Sequence, residues 1–263
     1  MFRWRKNNRT RVAQYAAAFL TITMLALFWR GQAQENNFAA RARRLYWEAQ
    51  TRRNKTPKDE EALWQFARAC FDLGDFATNS SERAEIAEQG ISACREVISK
   101  NPASVEGHYY LGMNLGQLAQ TKGLGALKIV DLMEREFKTV RQNDETFDYA
   151  GPDRNLGLLY RDAPSIGSIG SRSKAKQHLA RAVELAPSYP ENHLNLAETC
   201  LKWEDRNCAT RELKAVESGW SAARTNFVGV EWAQSWLDWK KRLQAVKLKV
   251  EEHSIAIRAP HQN

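Results

Sequence analysis

The most constraining feature of this chain is a spacing that repeats. Ala175-x3-Leu179-x2-Ala182-x4-Pro187 is followed by His193-x2-Leu196-Ala197-x2-Cys200. Residues three and four apart share one face of a helix, so each half describes a helix with a buried stripe. The small residues let a second helix approach closely, and the large ones fill the space beside them. Proline stops the first helix and opens the next turn. The halves recur as Trp64-x2-Ala67-x3-Phe71, Gly90-x3-Cys94-x2-Val97-x4-Pro102, His108-x2-Leu111-Gly112-x2-Leu115, Asp153-x2-Leu156-Gly157-x2-Tyr160 and Ala209-x3-Leu213-x2-Val216. One such hairpin cannot bury its apolar face alone, but stacked copies share a continuous core and need caps at their ends.

The pattern resembles that of the tetratricopeptide repeat (TPR) family, W-x2-L-G-x2-Y followed by A-x3-F, A and P. The best unit runs from Asp153 to Pro187, and the resemblance spans roughly residues 60–218. It implies an all-α, right-handed solenoid with a concave groove lined by the first helix of each hairpin. The departures are specific. Tryptophan fills the first slot only at Trp64, with histidine or aspartate later. The connection between Phe71 and Gly90 reads as an extended loop, and "RDAPSIGSIGSRSK" after Tyr160 as another. The second helix of the His108 unit, "LGALKIVDLMEREFKTV", is amphipathic but off-pattern. The segments "GLGALKIV", "FDYAGPDRNLGLLYRDAP" and "KAKQHLARAVELAPSYPENHLNLAE" also look like a narrower group. They are similar to exported bacterial TPR proteins of the TRAP transporter T-component kind, and more distantly to the TPR domain of regulators of microtubule dynamics. Gly151 to Tyr160 carries most of that likeness. It implies work beside a periplasmic solute-binding protein.

The expected organisation is a leader over 1–33, a basic linker or short helix over 34–58, and a repeat domain of about four hairpins over 59–219. A Trp-rich capping helix over 220–252 and a tail over 253–263 follow. The net charge of +8 belongs to the N-terminus: residues 1–58 carry thirteen Lys and Arg against Glu35 and Glu48, and the remainder is slightly acidic. A nucleic-acid surface on the folded domain is therefore not expected. "MFRWRKNNRTR", the apolar run Val12 to Trp29 and the small residues ending at Ala33 read as a secretory signal. A retained anchor in the inner membrane is the alternative, since 18 residues just span a bilayer; an organelle transit peptide is the third. The expected location is periplasmic or otherwise extracytoplasmic. "FAARARRLYWEAQTRR", Phe38 to Arg53, reads as a basic helix that packs on the array or lies near anionic lipid. Trp232, Trp236, Trp239, Leu243, Val246 and Val250 step by threes and fours, which suits packing on the last repeat better than a ligand surface. Cys200 and Cys208 are spaced to bridge one hairpin in an oxidising compartment. The preferred reading is that these two, with Cys70 and Cys94, are small buried apolar residues. No Cys or His pair has zinc spacing.

Catalysis is not expected. No Ser/His/Asp set, H-E-x-x-H or phosphate loop is present. His108 and His193 occupy the large-residue slot of repeat helices, His178 borders a helix face, and His253 and His261 belong to the tail. No cofactor and no metal is expected. Binding in the groove is the expected function, with a protein or peptide as partner. The alternative is a small apolar ligand held by a transport-accessory protein. Counting between packing positions, the groove-facing side chains are Gln65, Tyr109, Met113, Gln117, Arg154, Leu158, Arg161, Leu194, Glu198 and Lys202. Tyr109, Met113, Leu158 and Leu194 would form an apolar strip, and Arg154, Arg161 and Lys202 a basic edge for a carboxylate or acidic peptide. TPR domains that grip chaperone C-termini use a Lys/Asn clamp; Gln65, Tyr109, Arg154 and Leu194 fill much of the equivalent surface, so that clamp is not reproduced. The loop Arg161 to Lys174 is a second candidate, with Arg161, Arg172 and the following helix N-terminus as anion ligands, although packing over the groove edge is preferred.

Overall fold

A computed structural model describes residues 37–258. Among these residues there are helices and no strands, arranged as an all-α solenoid of TPR-like hairpins. Helix α1 covers 37–55. The hairpins are α2 (Glu60–Gly74) with α3 (Ser80–Lys100), α4 (Val105–Ala119) with α5 (Ala126–Asn143), α6 (Phe147–Asp162) with α7 (Arg172–Leu185), and α8 (Pro190–Lys202) with α9 (Arg206–Asn226). Helix α10 (Ala233–Arg258) packs on α8 and α9. Leader residues 1–33 and the tail beyond 258 lie outside the described residues, as does His261.

Local chemistry sets the helix starts. Asp59, Asn79, Ser104, Ser171 and Asp205 each accept a hydrogen bond from a backbone N–H two or three residues on. Each thereby satisfies one of the donors that a helix N-terminus leaves open. Pro190 begins α8, where its missing N–H costs nothing. Close helix approach occurs at the small residues of the repeat. A side chain on Gly112 would meet Phe137 Cε1 at 2.7 Å, and one on Gly157 would meet Leu179 Cγ at 2.6 Å. Ala175, Ala182 and Ala197 are fully buried.

Two sequence expectations are corrected. The stretch after Phe71 is mostly helix. Asn79 caps α3 at Ser80, while Glu82 reaches back to the Thr78 N–H at 2.7 Å. Ile86, Ala87 and Ile91 extend the buried stripe upstream of Gly90, so burial makes a longer second helix where the polar sequence predicts a loop. Helix α9 likewise runs on to Asn226, which places Trp220 on the last hairpin, and α10 begins at Ala233.

The ends of the array are closed by packing. Tyr46 of α1 lies against Phe66 (ring centroids 5.5 Å apart), and its hydroxyl donates to Gln89 at 2.6 Å. At the other end Trp239 is fully buried among Tyr189, Phe227, Trp232 and Trp236. Leu243, Val246 and Val250 continue the same contact with the last hairpins. The two ends also meet: Arg41 Nη1 donates to the Val230 carbonyl at 2.7 Å, across 189 positions of sequence. Cys200 and Cys208 form a disulfide within the α8–α9 hairpin, whereas Cys70 and Cys94 are free and buried. The reading of all four as unpaired apolar residues therefore holds for two.

Candidate functional site

The expected groove residues separate into buried supports and accessible surface. Tyr109, Gln117, Arg154 and Leu194 are 1%, 2%, 5% and 0% exposed, which corrects their placement as open groove walls. Leu194 lies in the core beneath the cap with Tyr189 and Trp239. Gln117 donates to Asp75 Oδ1 at 2.6 Å and accepts from Arg83 Nη1 at 2.5 Å, tying α4 to the first hairpin.

Arg154 has a structural task that spacing alone conceals. Asp148, Tyr149 and Ala150 carry φ values of 49°, 56° and 63°, a left-handed turn inside α6 made without glycine. Such residues cost about 1–2 kcal/mol each. Arg154 Nη1 donates to the Asp148 and Tyr149 carbonyls at 3.0 and 3.1 Å, and Nη2 meets the Asp148 carboxylate at 2.5 Å. Tyr109 donates to the same carboxylate, Asn192 donates to the Tyr149 carbonyl at 3.0 Å, and Tyr149 stacks on Tyr189. Burial by itself lowers a guanidinium pKa, but the oxygens of Tyr109 and Asp148 more than offset it and Arg154 stays charged. The arginine thus satisfies the turn, and its charge is already spent on Asp148.

The rest of the expected basic edge is also neutralised. Arg161 pairs with Asp162 at 2.6 Å, and Lys202 reaches the same carboxylate at 3.1 Å. Glu198 holds Arg242 of the cap through two contacts of 2.8 Å. Met113 and Leu158 remain partly accessible. Gln65 accepts from Arg52 at 2.6 Å and donates to Glu61 at 2.8 Å. The 161–174 loop packs: Ser171 N–H returns to the Tyr160 carbonyl, Gly170 N–H to that of Pro164, and Arg172 lies over the Trp203 ring. These contacts close the loop on itself and tie its end to Trp203, while Ile166 stays 92% exposed.

Residues not singled out from the sequence define the accessible inner surface. Arg68 and Asp72 follow Trp64 by four and eight and Gln65 by three and seven, so all four lie along one broad face of α2. Trp64 stacks parallel on Tyr110. The Asp72 side chain is 43% exposed, yet its pKa is pushed up to about 6. Burial is the main cause, Arg68 opposes it, and Asp75 and Asp148 add like charge. Arg68 of the same helix, Asp148 of α6 and Arg41 of α1 stand near enough to act on the Asp72 carboxyl.

An apolar notch of about 390 Å³ lies elsewhere, between α3, α4 and α5, lined by Ile91, Leu115, Leu118, Ile129 and Leu132. Two repeat histidines serve as packing links, as their slot predicts. His108 joins Glu136 to the Pro102 carbonyl, and His193 joins Glu212 to that of Pro187. Burial would raise the Glu212 carboxyl, but hydrogen bonds from His193 and Arg211 hold it below the usual carboxylate range. Among the described residues one group has metal-ligand proximity, Cys200, Asp205 and Cys208, and its two sulfurs are joined to each other. No helix among the described residues is long and apolar enough to cross a membrane.

Comparison with known proteins agrees with this architecture. The family model described as "Regulator of microtubule dynamics protein 1-3" matches residues 28–130, which takes in α1 and the first two hairpins as far as the start of α5. That lies upstream of the Gly151 to Tyr160 segment on which the sequence likeness rested. No curated protein matches the chain, and nothing found supports the TRAP T-component likeness. A solved thermophilic TPR protein of Thermus thermophilus, TTC0263, superposes with a TM-score of 0.57 at 19% identity, covering 81% of this chain and 99% of that one. A MamA RS-1 double mutant covers 76% of this chain and 97% of its own at 17% identity and a TM-score of 0.49. The chain has a TPR-like helical-repeat fold, similar over most of its length to that of the Thermus protein.

Proposed function

We propose that this protein is an exported, non-catalytic scaffold that holds a segment of a partner protein against the inner helices α2, α4 and α6. The observation that carries the reading is the water-accessible Arg68–Asp72 pair on α2, with Met113 of α4 and Leu158 of α6 left partly accessible in a capped array. Two ionisable groups are held near other charges there without being consumed by the fold, as a recognition surface requires. Around them the remaining inner polar groups are tied up in structure, so specificity falls to these few side chains. Export is supported by the leader pattern before residue 34 and by the Cys200–Cys208 disulfide, because such bonds persist in oxidising compartments.

The test is affinity capture from the native cell envelope with the wild-type chain and with an Arg68→Gln variant. Arg68 is exposed, so the variant keeps a melting profile close to wild type and loses the wild-type partner set. Equal recovery of the same partners by both proteins would remove the inner helices from the binding surface. N-terminal sequencing of purified protein checks export separately: a mature chain starting near residue 34 supports cleavage, and an intact Met1 supports anchoring instead.

A further inference from the structure

We propose that the cleft between α5 and α7, on the outer helices of the second and third hairpins, is an anion site for the phosphate group of a small phosphate monoester. The cleft encloses about 570 Å³. Its floor is the fully buried carboxylate of Asp153 on α6. Both Asp153 oxygens accept from Arg141 Nε, at 3.1 and 3.0 Å, and Oδ1 also meets His178 Nδ1 at 2.6 Å. Facing a carboxylate, Nδ1 carries the proton and donates. The ring is held flat on Tyr160, with centroids 5.4 Å apart, and the Tyr160 hydroxyl is itself anchored on Glu134.

The hydrogen-bonding balance of the lining is uneven. Arg141 spends only Nε on Asp153, leaving both terminal nitrogens. Lys174 lies over the Tyr160 ring at 4.9 Å, and among the described residues its ammonium has no hydrogen-bond acceptor. His178 Nε2 likewise has no partner among them. The carboxylates, by contrast, are engaged: Glu184 accepts from Arg181 at 3.2 Å and Glu134 from Lys138 at 2.6 Å. What the cleft has left to offer is cationic donors on two elements, the terminal nitrogens of Arg141 on α5 and the ammonium of Lys174 on α7. A planar carboxylate is satisfied by one guanidinium fork, whereas a tetrahedral dianion uses several separated donors. The oriented Asp153–His178 pair has the form of a general-base dyad, but the lining contains no Ser, Thr or Cys for it to activate, so it is assigned to binding.

Titration calorimetry with inorganic phosphate and with glycerol phosphate tests the site on the full chain. The wild-type protein is expected to give saturable one-site binding to both. Lys174→Gln weakens it about tenfold, the worth of one charge-assisted hydrogen bond. Gln177→Glu, which puts a carboxylate into the same lining, abolishes it. Lys214→Gln on an exposed face of α9 removes the same charge elsewhere and changes affinity by no more than about twofold. All three positions are exposed, so melting profiles stay close to wild type. Absence of saturable binding overturns the proposal, as does equal weakening by Lys174→Gln and Lys214→Gln. Binding to anionic phospholipid vesicles without binding of either soluble phosphate would reassign the cleft to a membrane surface.

Discussion

Gly157→Ala adds one methyl group where α6 meets α7, and the structure fixes what that methyl encounters. The new Cβ would lie 2.6 Å from Leu179 Cγ, 2.8 Å from Cδ2 and 3.1 Å from the Leu179 backbone nitrogen. In a free helix the change is favourable by about 1 kcal/mol, since glycine is the poorer helix former. Overpacking a filled interior costs about 1–3 kcal/mol. Here the third contact is backbone, so rotating Leu179 cannot relieve it and the helices must separate, which places the cost near the upper end. The net destabilisation is about 1–2 kcal/mol, or a fall in Tm of roughly 2–8 °C for a chain of this size. The assay is thermal unfolding followed by far-ultraviolet circular dichroism. Leu179→Ala supplies the control: alone it opens a cavity and costs about 2–5 kcal/mol, but it also removes the side chain that the new methyl strikes. The double variant should therefore be more stable than the sum of the two losses by about 1 kcal/mol. A Gly157→Ala protein melting at or above the wild type, or strictly additive losses, would refute the claim that small residues set the helix spacing.

Asp72→Asn should raise Tm at neutral pH and flatten its pH dependence. The folded carboxyl is pushed up to about 6 from its usual 3.8, so the folded state binds the proton more tightly than the unfolded one. Stability from this group therefore rises as pH falls through 6 towards the unfolded value, and the asparagine variant should lose that slope in melts between about pH 4 and 7. Cys208→Ser, or reduction of the wild type, opens a loop closed over eight positions and should cost about 2–3 kcal/mol. Hydrogen exchange should report that loss first in α8 and α9, and unchanged protection there under reductant would contradict it.

The repeat itself was legible in the sequence because helical periodicity is local. Ala175, Leu179 and Ala182 announce a buried stripe through their spacing alone, and Gly112 and Gly157 mark the places where a neighbour comes close. The same local logic identified the Trp239 stripe as core and gave His108 and His193 their packing roles. It failed where local signals competed. The polar run after Phe71 resembled a loop, but Ile86, Ala87 and Ile91 bury enough apolar surface to keep α3 helical. For the candidate site, register counting reached Gln65, Met113 and Leu158 but did not single out Arg68 and Asp72, which lie along the same face of α2 as Gln65, because periodicity alone does not rank the polar side chains of one face.

The remaining features exist only once the hairpins have stacked. The sequence determined a chain of helices with apolar stripes and small residues at the crossings, since each such property is decided within a few turns. Tertiary structure alone decided that Arg154 satisfies a left-handed turn rather than meeting a ligand, because the carbonyls it serves are turned towards it only by the kink at Asp148. It also decided that Arg41 reaches Val230, that Asp72 keeps its proton more tightly than a free carboxyl, and that Asp153 and His178 share a cleft with Lys174. Each of these depends on side chains brought together from distant positions, and on the low-dielectric, partly closed spaces that form between them when the array assembles.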